Sequence, residues 1–194
     1  GRIVSGSDDD TIKIWEKDSS GLYQVTETLE GHTGAVIALQ VLPDGRIISG
    51  SGDDTIKIWD KDSSGLYQVT ETLEGHTGSV FTLQVLPDGR IVSGSDDHTI
   101  KIWDKDSSGH YQNTETLEGH TGSVFILQVL PDGRIVSGSS DHTIKIWDKD
   151  PSGHYKVIET LEGHTGAVIA LQVLPDGRIV SGSDDDTIKI WEKD

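Results

Sequence analysis

The sequence predicts an all-β protein assembled from copies of one four-stranded antiparallel sheet. Three observations predict it. Tryptophans stand at Trp15, Trp59, Trp103, Trp147 and Trp191, each 44 residues after the last, and a fixed period of that length marks repeated supersecondary units that bury their faces on one another. Within each period the apolar residues alternate with the period of two that belongs to a half-buried strand. The apolar runs are short and are broken at regular points by glycine, proline, aspartate and serine, the residues that tight turns require.

Aligned on a recurrent Gly-Arg pair, the units start at Gly1, Gly45, Gly89, Gly133 and Gly177, and the segment 177–194 is identical to 1–18. One unit, taken in order, justifies all. In strand a, Val80, Thr82 and Gln84 alternate with Phe81, Leu83 and Val85 before Pro87-Asp88-Gly89 turns the chain. Strand b is Arg90 to Ser93. After the corner Asp96-Asp97-His98, strand c runs from Thr99 to Trp103. A polar loop, Lys105 to Gly109, leads into strand d, His110 to Leu117, and Gly119-His120-Thr121-Gly122 connects to the next unit. The four strands are rich in Ile, Val and Thr, which suit a pleated surface. Strand d is charged and Thr-rich, the composition of an outer edge that discourages unwanted pairing. Strand a, as in Ala35 to Leu42, is nearly continuous in apolar residues, which predicts burial on both faces. A sheet with an apolar inner edge and a polar outer edge is a radial blade.

Counted from strand a, residues 31–74, 75–118 and 119–162 are full blades. The segment 1–30 is b-c-d only, and 163–194 is a-b-c only. Five b-c pairs thus stand against four a strands and four d strands.

The formal charge is −17. Nucleic acid requires a basic footprint, and anionic membrane surfaces repel an acidic chain, so both are excluded as partners. There is no cysteine, which removes disulfides, thiolate catalysis and Cys-based zinc sites. No apolar run approaches the ~18 residues of a membrane helix and no signal peptide is visible, which together suggest a cytoplasmic protein. The absence of methionine points to a processed chain or a fragment.

Each unit carries Gly-His (31-32, 75-76, 119-120, 163-164) and Trp-Asp (59-60, 103-104, 147-148) or Trp-Glu (15-16, 191-192). In these residues the whole chain resembles the WD40 family of β-propellers. The sequence has no phosphate-cradling glycine loop, HExxH or isolated carboxylate pair, so neither enzymatic activity nor a cofactor is expected. The resemblance implies a propeller in which this chain supplies four to four-and-a-half blades. It also implies a buried hydrogen-bonded relay in each blade. Carried over by position, the sets are His32-Ser49-Asp53-Trp59, His76-Ser93-Asp97-Trp103, His120-Ser137-Asp141-Trp147 and His164-Ser181-Asp185-Trp191. The N-terminal copy has Ser5, Asp9 and Trp15 but no preceding Gly-His. A Ser-His-Asp set suggests a hydrolase triad, yet four interior copies without a nucleophile elbow serve architecture rather than catalysis.

An open array leaves two apolar faces exposed, one at each end. Self-association closes it, and the expected form is a head-to-tail homodimer in which the C-terminal strands of one chain meet strand d at the N-terminus of the other. One composite blade per junction makes a ring of eight. Keeping both partial blades makes nine or ten, and a four-bladed monomer closing on itself is the remaining arrangement.

Positions that differ between otherwise near-identical units show what the structure leaves free. The resemblance places partner contacts at three of them: Ala35, Ser79, Ser123 and Ala167; Ile37, Phe81, Phe125 and Ile169; and Asp8, Gly52, Asp96, Ser140 and Asp184. They read either as a protein- or peptide-binding face with Phe81 and Phe125 as aromatic anchors, or as drift at exposed positions with the phenylalanines filling core. Such near-identity points to recent amplification or deliberate engineering, so a purely structural assembly block without a partner is the alternative. Asp60, Asp62 and Ser64, with Gly65 and Glu71, match the spacing of a calcium loop. Without flanking helices they read equally as a polar hairpin loop. His98 and His142 are candidates for a zinc pair between adjacent blades, against a reading as solvated loop residues.

Overall fold

The computed structural model describes residues 1–192, so the last two residues of the segment 163–194 lie outside it. The period-two pattern becomes eighteen strands among the described residues, with no helix. The chain forms two compact parts, residues 1–83 and 84–194.

In the first part, β1 (Ile3–Gly6), β2 (Ile12–Lys17) and β3 (Tyr23–Leu29) make a three-stranded antiparallel sheet. It is followed by a four-stranded sheet of β4 (Val36–Val41), β5 (Ile47–Ser51), β6 (Ile56–Lys61) and β7 (Tyr67–Leu73). The core lies between the two sheets: Ile12, Ile14 and Leu29 of the first pack on Val36, Ile47 and Trp59 of the second.

The boundary between the two parts falls within β8 (Val80–Val85), which joins β9 (Ile91–Ser95), β10 (Ile100–Lys105) and β11 (Tyr111–Leu117) in a sheet of order β11-β10-β9-β8. Next come β12 (Val124–Val129), β13 (Ile135–Ser139), β14 (Ile144–Lys149) and β15 (Tyr155–Leu161), then a three-stranded sheet of β16 (Val168–Val173), β17 (Ile179–Ser183) and β18 (Ile188–Trp191). Apolar side chains again fill the spaces between successive sheets. Val92, Ile100 and Ile102 meet Val124, Leu127 and Trp147, and Val136, Ile144 and Ile146 meet Val168, Leu171 and Ile179. The strand order within each sheet is the sequence order, so every connection is a hairpin. At the a-b turn, Gly45, Gly89, Gly133 and Gly177 all adopt φ near +90°, where a side chain would strain the backbone.

Strand a differs from the expectation of burial on both faces. Ile37 and Val41 of β4 are exposed, and it is strand b, the sequence Ile-Ile/Val-Ser-Gly-Ser of β5, β9 and β13, that is buried along its whole length. The reason is position. Strand b has a neighbour on each side in its own sheet, and β13 also has an apolar layer on each face, Ile135 in the one shared with β9 and β10 and Val136 in the one shared with β16 and β17, whereas strand a is an edge. A bulge adds to this: Val36 pairs with Ser51 and Ala38 with Gly50, leaving Ile37 unpaired. The same shift recurs beside Phe125 and Ile169. A bulge bends its strand and re-aims the extra side chain, so these residues turn out of the sheet-to-sheet core.

The sheets approach closely where strand b carries glycine. A Cβ on Gly138 would lie 2.7 Å from Val168 Cγ1 and 2.9 Å from Ile126 Cγ2. At Gly182, in the last of the described sheets, the nearest atom is Ala170 Cβ at 3.4 Å. Gly138→Ala is therefore expected to destabilise the protein by about 1–3 kcal/mol, the usual cost of overpacking a filled core. Gly182→Ala is expected to leave a single chain's melting temperature nearly unchanged. Thermal unfolding of the two variants followed by circular dichroism checks both.

Candidate functional site

Three relay sets are visible in full. Trp59 Nε1–H donates to Ser49 Oγ at 2.8 Å, and Ser49 Oγ stands 2.7 Å from His32 Nε2. Trp has only a donor to offer, so the serine oxygen accepts from it, and the ionised Asp53 carboxylate, which can only accept, takes the proton of His32 Nδ1 at 2.8 Å. In the neutral imidazole Nε2 is then left to accept the serine proton. The sets on His120 and His164 repeat this, with Nδ1 to carboxylate and Nε2 to Ser137 or Ser181 at 2.7 Å, and Trp147 or Trp191 to serine at 2.8 Å. In the remaining interior set Trp103 donates to Ser93 at 2.8 Å, and His76 is buried. In the N-terminal copy Trp15 donates to Ser5 at 2.9 Å, while Asp9 is exposed and takes its hydrogen bonds from Thr11.

The relay joins four places in one unit. The histidine precedes strand a, the serine is on b, the aspartate is in the b-c corner and the tryptophan is on c. Each carboxylate also accepts from backbone and hydroxyl donors: Asp53 from Thr33 N–H on Oδ2 and from Thr55 N–H and Oγ1–H on Oδ1, with the same partners around Asp141 and Asp185. These threonines, and Ser51, which accepts from Asp53 N–H and donates to Gly34 O, are relay members that the sequence reading missed. The signal was present as Asp-x-Thr at 53/55, 97/99, 141/143 and 185/187. Among the described residues no buried side-chain polar atom lacks a partner. That completeness is what allows a buried network to rigidify rather than destabilise.

Burial pulls the Asp53 carboxyl up, but the hydrogen bonds from Thr33, Thr55 and His32 outweigh it and hold it well below the carboxylate range. Asp141 is held down in the same way, with His120, Thr143 and Thr121 as donors. Burial pushes His32 below the usual imidazole range despite Asp53 beside it. In the His32 set the resting relay is therefore an ionised aspartate with a neutral histidine. Ser49, Ser137 and Ser181 are fully buried, which closes the hydroxyl to any substrate.

Two of the three variable positions meet in each of three sheets. Gly52 N–H donates to Ala35 O, Ser140 N–H to Ser123 O and Asp184 N–H to Ala167 O. The third position, Ile37, Phe125 or Ile169, lies two residues on, at the bulge. Ser123 Oγ–H also donates to Asp96 Oδ1 at 2.6 Å, linking one sheet to the next. Phe81 and Phe125 are half-buried, as is Ser79, and Asp8, Asp96 and Asp184 are exposed.

The calcium-spaced residues do not converge. Asp62 Oδ1 closes its own loop, accepting from Ser64 N–H, Ser64 Oγ–H and Leu66 N–H. Asp60 accepts from Lys61 N–H, and Glu71 lies within β7 opposite Ile58. His98 and His142 occupy the left-handed corner position at φ near +70°. Among the described residues no three His, Asp or Glu side chains are grouped to hold a metal ion.

The lowered groups fix the sign of the pH dependence. A depressed folded pKa stabilises above the ordinary value, and that contribution is lost as pH falls. Stability is expected to decline first below the ordinary histidine value of 6.5, through His32, and again below 3.8, through Asp53 and Asp141. Asp141→Asn is expected to cost roughly 2 kcal/mol at neutral pH, the value of a hydrogen bond to a charged group. The gap to the parent protein should narrow below pH 3.8, as melting temperatures across pH will check.

Segments 1–16, 23–60, 67–104, 111–148 and 155–192 each match the WD domain, G-beta repeat. A search of curated proteins gives no match. Among the described residues no helix is long and apolar enough to cross a membrane. Five matches along most of the chain, on sheets of three or four antiparallel strands, place this protein in the WD40-repeat family, whose propeller-like fold is a non-catalytic protein-interaction module.

Proposed function

We propose that this chain is an assembly module that joins a second copy head-to-tail, and that the joined copies present a protein- or peptide-binding face at the bulge residues. The observation that carries the reading is the uncovered apolar surface of the two three-stranded sheets. Ile188 and Ile190 are 76% and 55% exposed, whereas their counterparts Ile144 and Ile146 are 0% and 7% exposed. At the other end Ile3 is 46% exposed where Ile135 is fully buried. One terminal sheet lacks strand d and the other lacks strand a, so the deficits are complementary between copies and a second copy supplies what each end needs. Covering apolar surface of this kind is the dominant favourable term in association. The closed pair then offers Ile37, Phe81, Phe125 and Ile169, flanked by the small and acidic positions 35, 52, 96, 123, 140 and 184, to an extended or basic partner. An assembly block with no further partner is the second reading, favoured by the near-identity of the units.

Light scattering at micromolar concentration is expected to return twice the 21.0 kDa chain mass, and a single-chain mass overturns the assembly reading. Ile188→Glu, at a position already exposed in one chain, is expected to yield a folded monomer. For the face, peptides selected from a library on the parent assembly should lose at least about tenfold in affinity on Phe125→Ala, the loss that marks an aromatic anchor. Equal binding by the variant removes the aromatic anchor and leaves the assembly-block reading.

A further inference from the structure

Strand d opens with a tyrosine in every unit, at Tyr23, Tyr67, Tyr111 and Tyr155, and four residues later a glutamate, at Glu27, Glu71, Glu115 and Glu159. The structure gives the pair a purpose. Tyr67 N–H donates to Glu27 of the preceding sheet at 2.6 Å, and Tyr155 N–H to Glu115 at 2.7 Å. The hydroxyls of Tyr67, Tyr111 and Tyr155 donate to Gly45, Gly89 and Gly133 O at 3.0, 3.2 and 2.9 Å, each in the a-b turn of its own sheet. Tyr67 and Tyr155 thus pin strand d both to its own sheet and to the sheet before it.

At the chain ends this lock is split. Glu159 and Gly177, which correspond to Glu115 and Gly133, line a cleft with Leu161, Ile179 and Trp191. Glu159 is exposed and no donor reaches its carboxylate among the described residues, whereas Glu27, Glu71 and Glu115 are half-buried. Tyr23 has the complementary deficit. It is 40% exposed, no side chain receives its N–H, and its hydroxyl makes no hydrogen bond among the described residues.

We propose that the partner's Tyr23 occupies this cleft, its N–H on Glu159 and its hydroxyl on Gly177 O, so that β16, β17, β18 and strand β3 of a second copy make one shared sheet. The inference rests on the head-to-tail reading above and fixes its junction. In the register of β14 on β15 (Ile144 opposite Leu161, Trp147 opposite Val157), Ile188 lies opposite the partner's Leu29 and Trp191 opposite the partner's Val25. Residues 177–194 then take the place of the partner's identical residues 1–18, and strand pairing lost is regained in kind. The copy that stays is the one whose relay is complete: Ser181 and Asp185 hold His164, while Ser5 and Asp9 meet no histidine among the described residues. In that place Ile188 and Ile190 gain the cover that Ile12 and Ile14 have, at 0% and 2% exposure. Gly182 comes to stand against the partner's Val36 as Gly6 stands against Val36 within one chain, where a Cβ would lie 2.6 Å from the Val36 carbonyl oxygen. Five sheets per chain with one shared at each junction give eight in the closed pair, rather than ten.

The test compares the parent with Tyr23→Ala, Tyr23→Phe, Glu159→Ala and Gly182→Ala by sedimentation equilibrium, with blades counted in electron-microscopy class averages of the parent. Tyr23 and Glu159 are exposed and Gly182 is uncovered in a single chain, so the circular dichroism of every variant should match the parent. Expected are eight blades, a dimer dissociation constant raised at least tenfold by Tyr23→Ala, Glu159→Ala and Gly182→Ala, and a smaller rise for Tyr23→Phe. A dimer that holds unchanged in Tyr23→Ala and Glu159→Ala, or that shows ten blades, overturns the shared sheet while leaving head-to-tail assembly standing. Unchanged affinity in Gly182→Ala alone overturns the replacement of 1–18 by 177–194. A monomeric parent overturns both readings.

Discussion

Every sheet in this protein is apolar on both faces, and that constraint governs everything else. Strand b of the β12–β15 sheet is buried from end to end because a sheet lies against each side of it, Ile135 packing into one layer and Val136 into the other. Ile100 and Ile102 on one face and Trp147 on the next pack into a single layer. The layer between β12–β15 and β16–β18 is built from the same positions one unit later. Because each sheet cannot be covered by its own chain segment alone, stability comes from neighbours, as in other repeat architectures. The two three-stranded sheets differ from the others in complementary ways, the first lacking strand a and the last, among the described residues, lacking strand d.

Within each sheet the hydrogen-bond relay does what apolar contact cannot. Dispersion and burial are non-directional, so they stack the sheets without fixing the turns. The serine hydroxyl taken by Trp on one side and His on the other ties strand c to the segment before strand a, and the ionised aspartate then holds the b-c corner through backbone donors. Satisfying every member matters because an unpaired polar atom in such a place is costly. The tyrosine lock on strand d works differently. It crosses from one sheet to the next, so it couples neighbours and is left half-made wherever a neighbour is missing.

Much of the site was legible in residues. The histidine, serine, aspartate and tryptophan of three units lie at the positions that the family resemblance gave and are hydrogen-bonded to one another there. The supporting threonines were not recognised, because Asp-x-Thr reads as ordinary turn chemistry until the carboxylate is seen to face a buried histidine. Strand a was misread because a run of apolar residues does not reveal an edge strand or a bulge. Ile37 lies in such a run yet is left unpaired and turned outward. The tyrosine and glutamate were overlooked for a related reason: their partners lie 40 and 22 residues away, one of them a backbone carbonyl with no identity in the sequence.

By itself the sequence determined the all-β class, the four-strand unit, the turns and the deficit at each end, because period-two patterning and turn residues are local and are repeated until they are unmistakable. Tertiary structure alone decided which strand is buried, where the bulge aims the variable residues, and which glutamates of strand d receive the tyrosine of the next sheet. Those depend on what lies across the space between sheets, and no neighbour in the sequence records it.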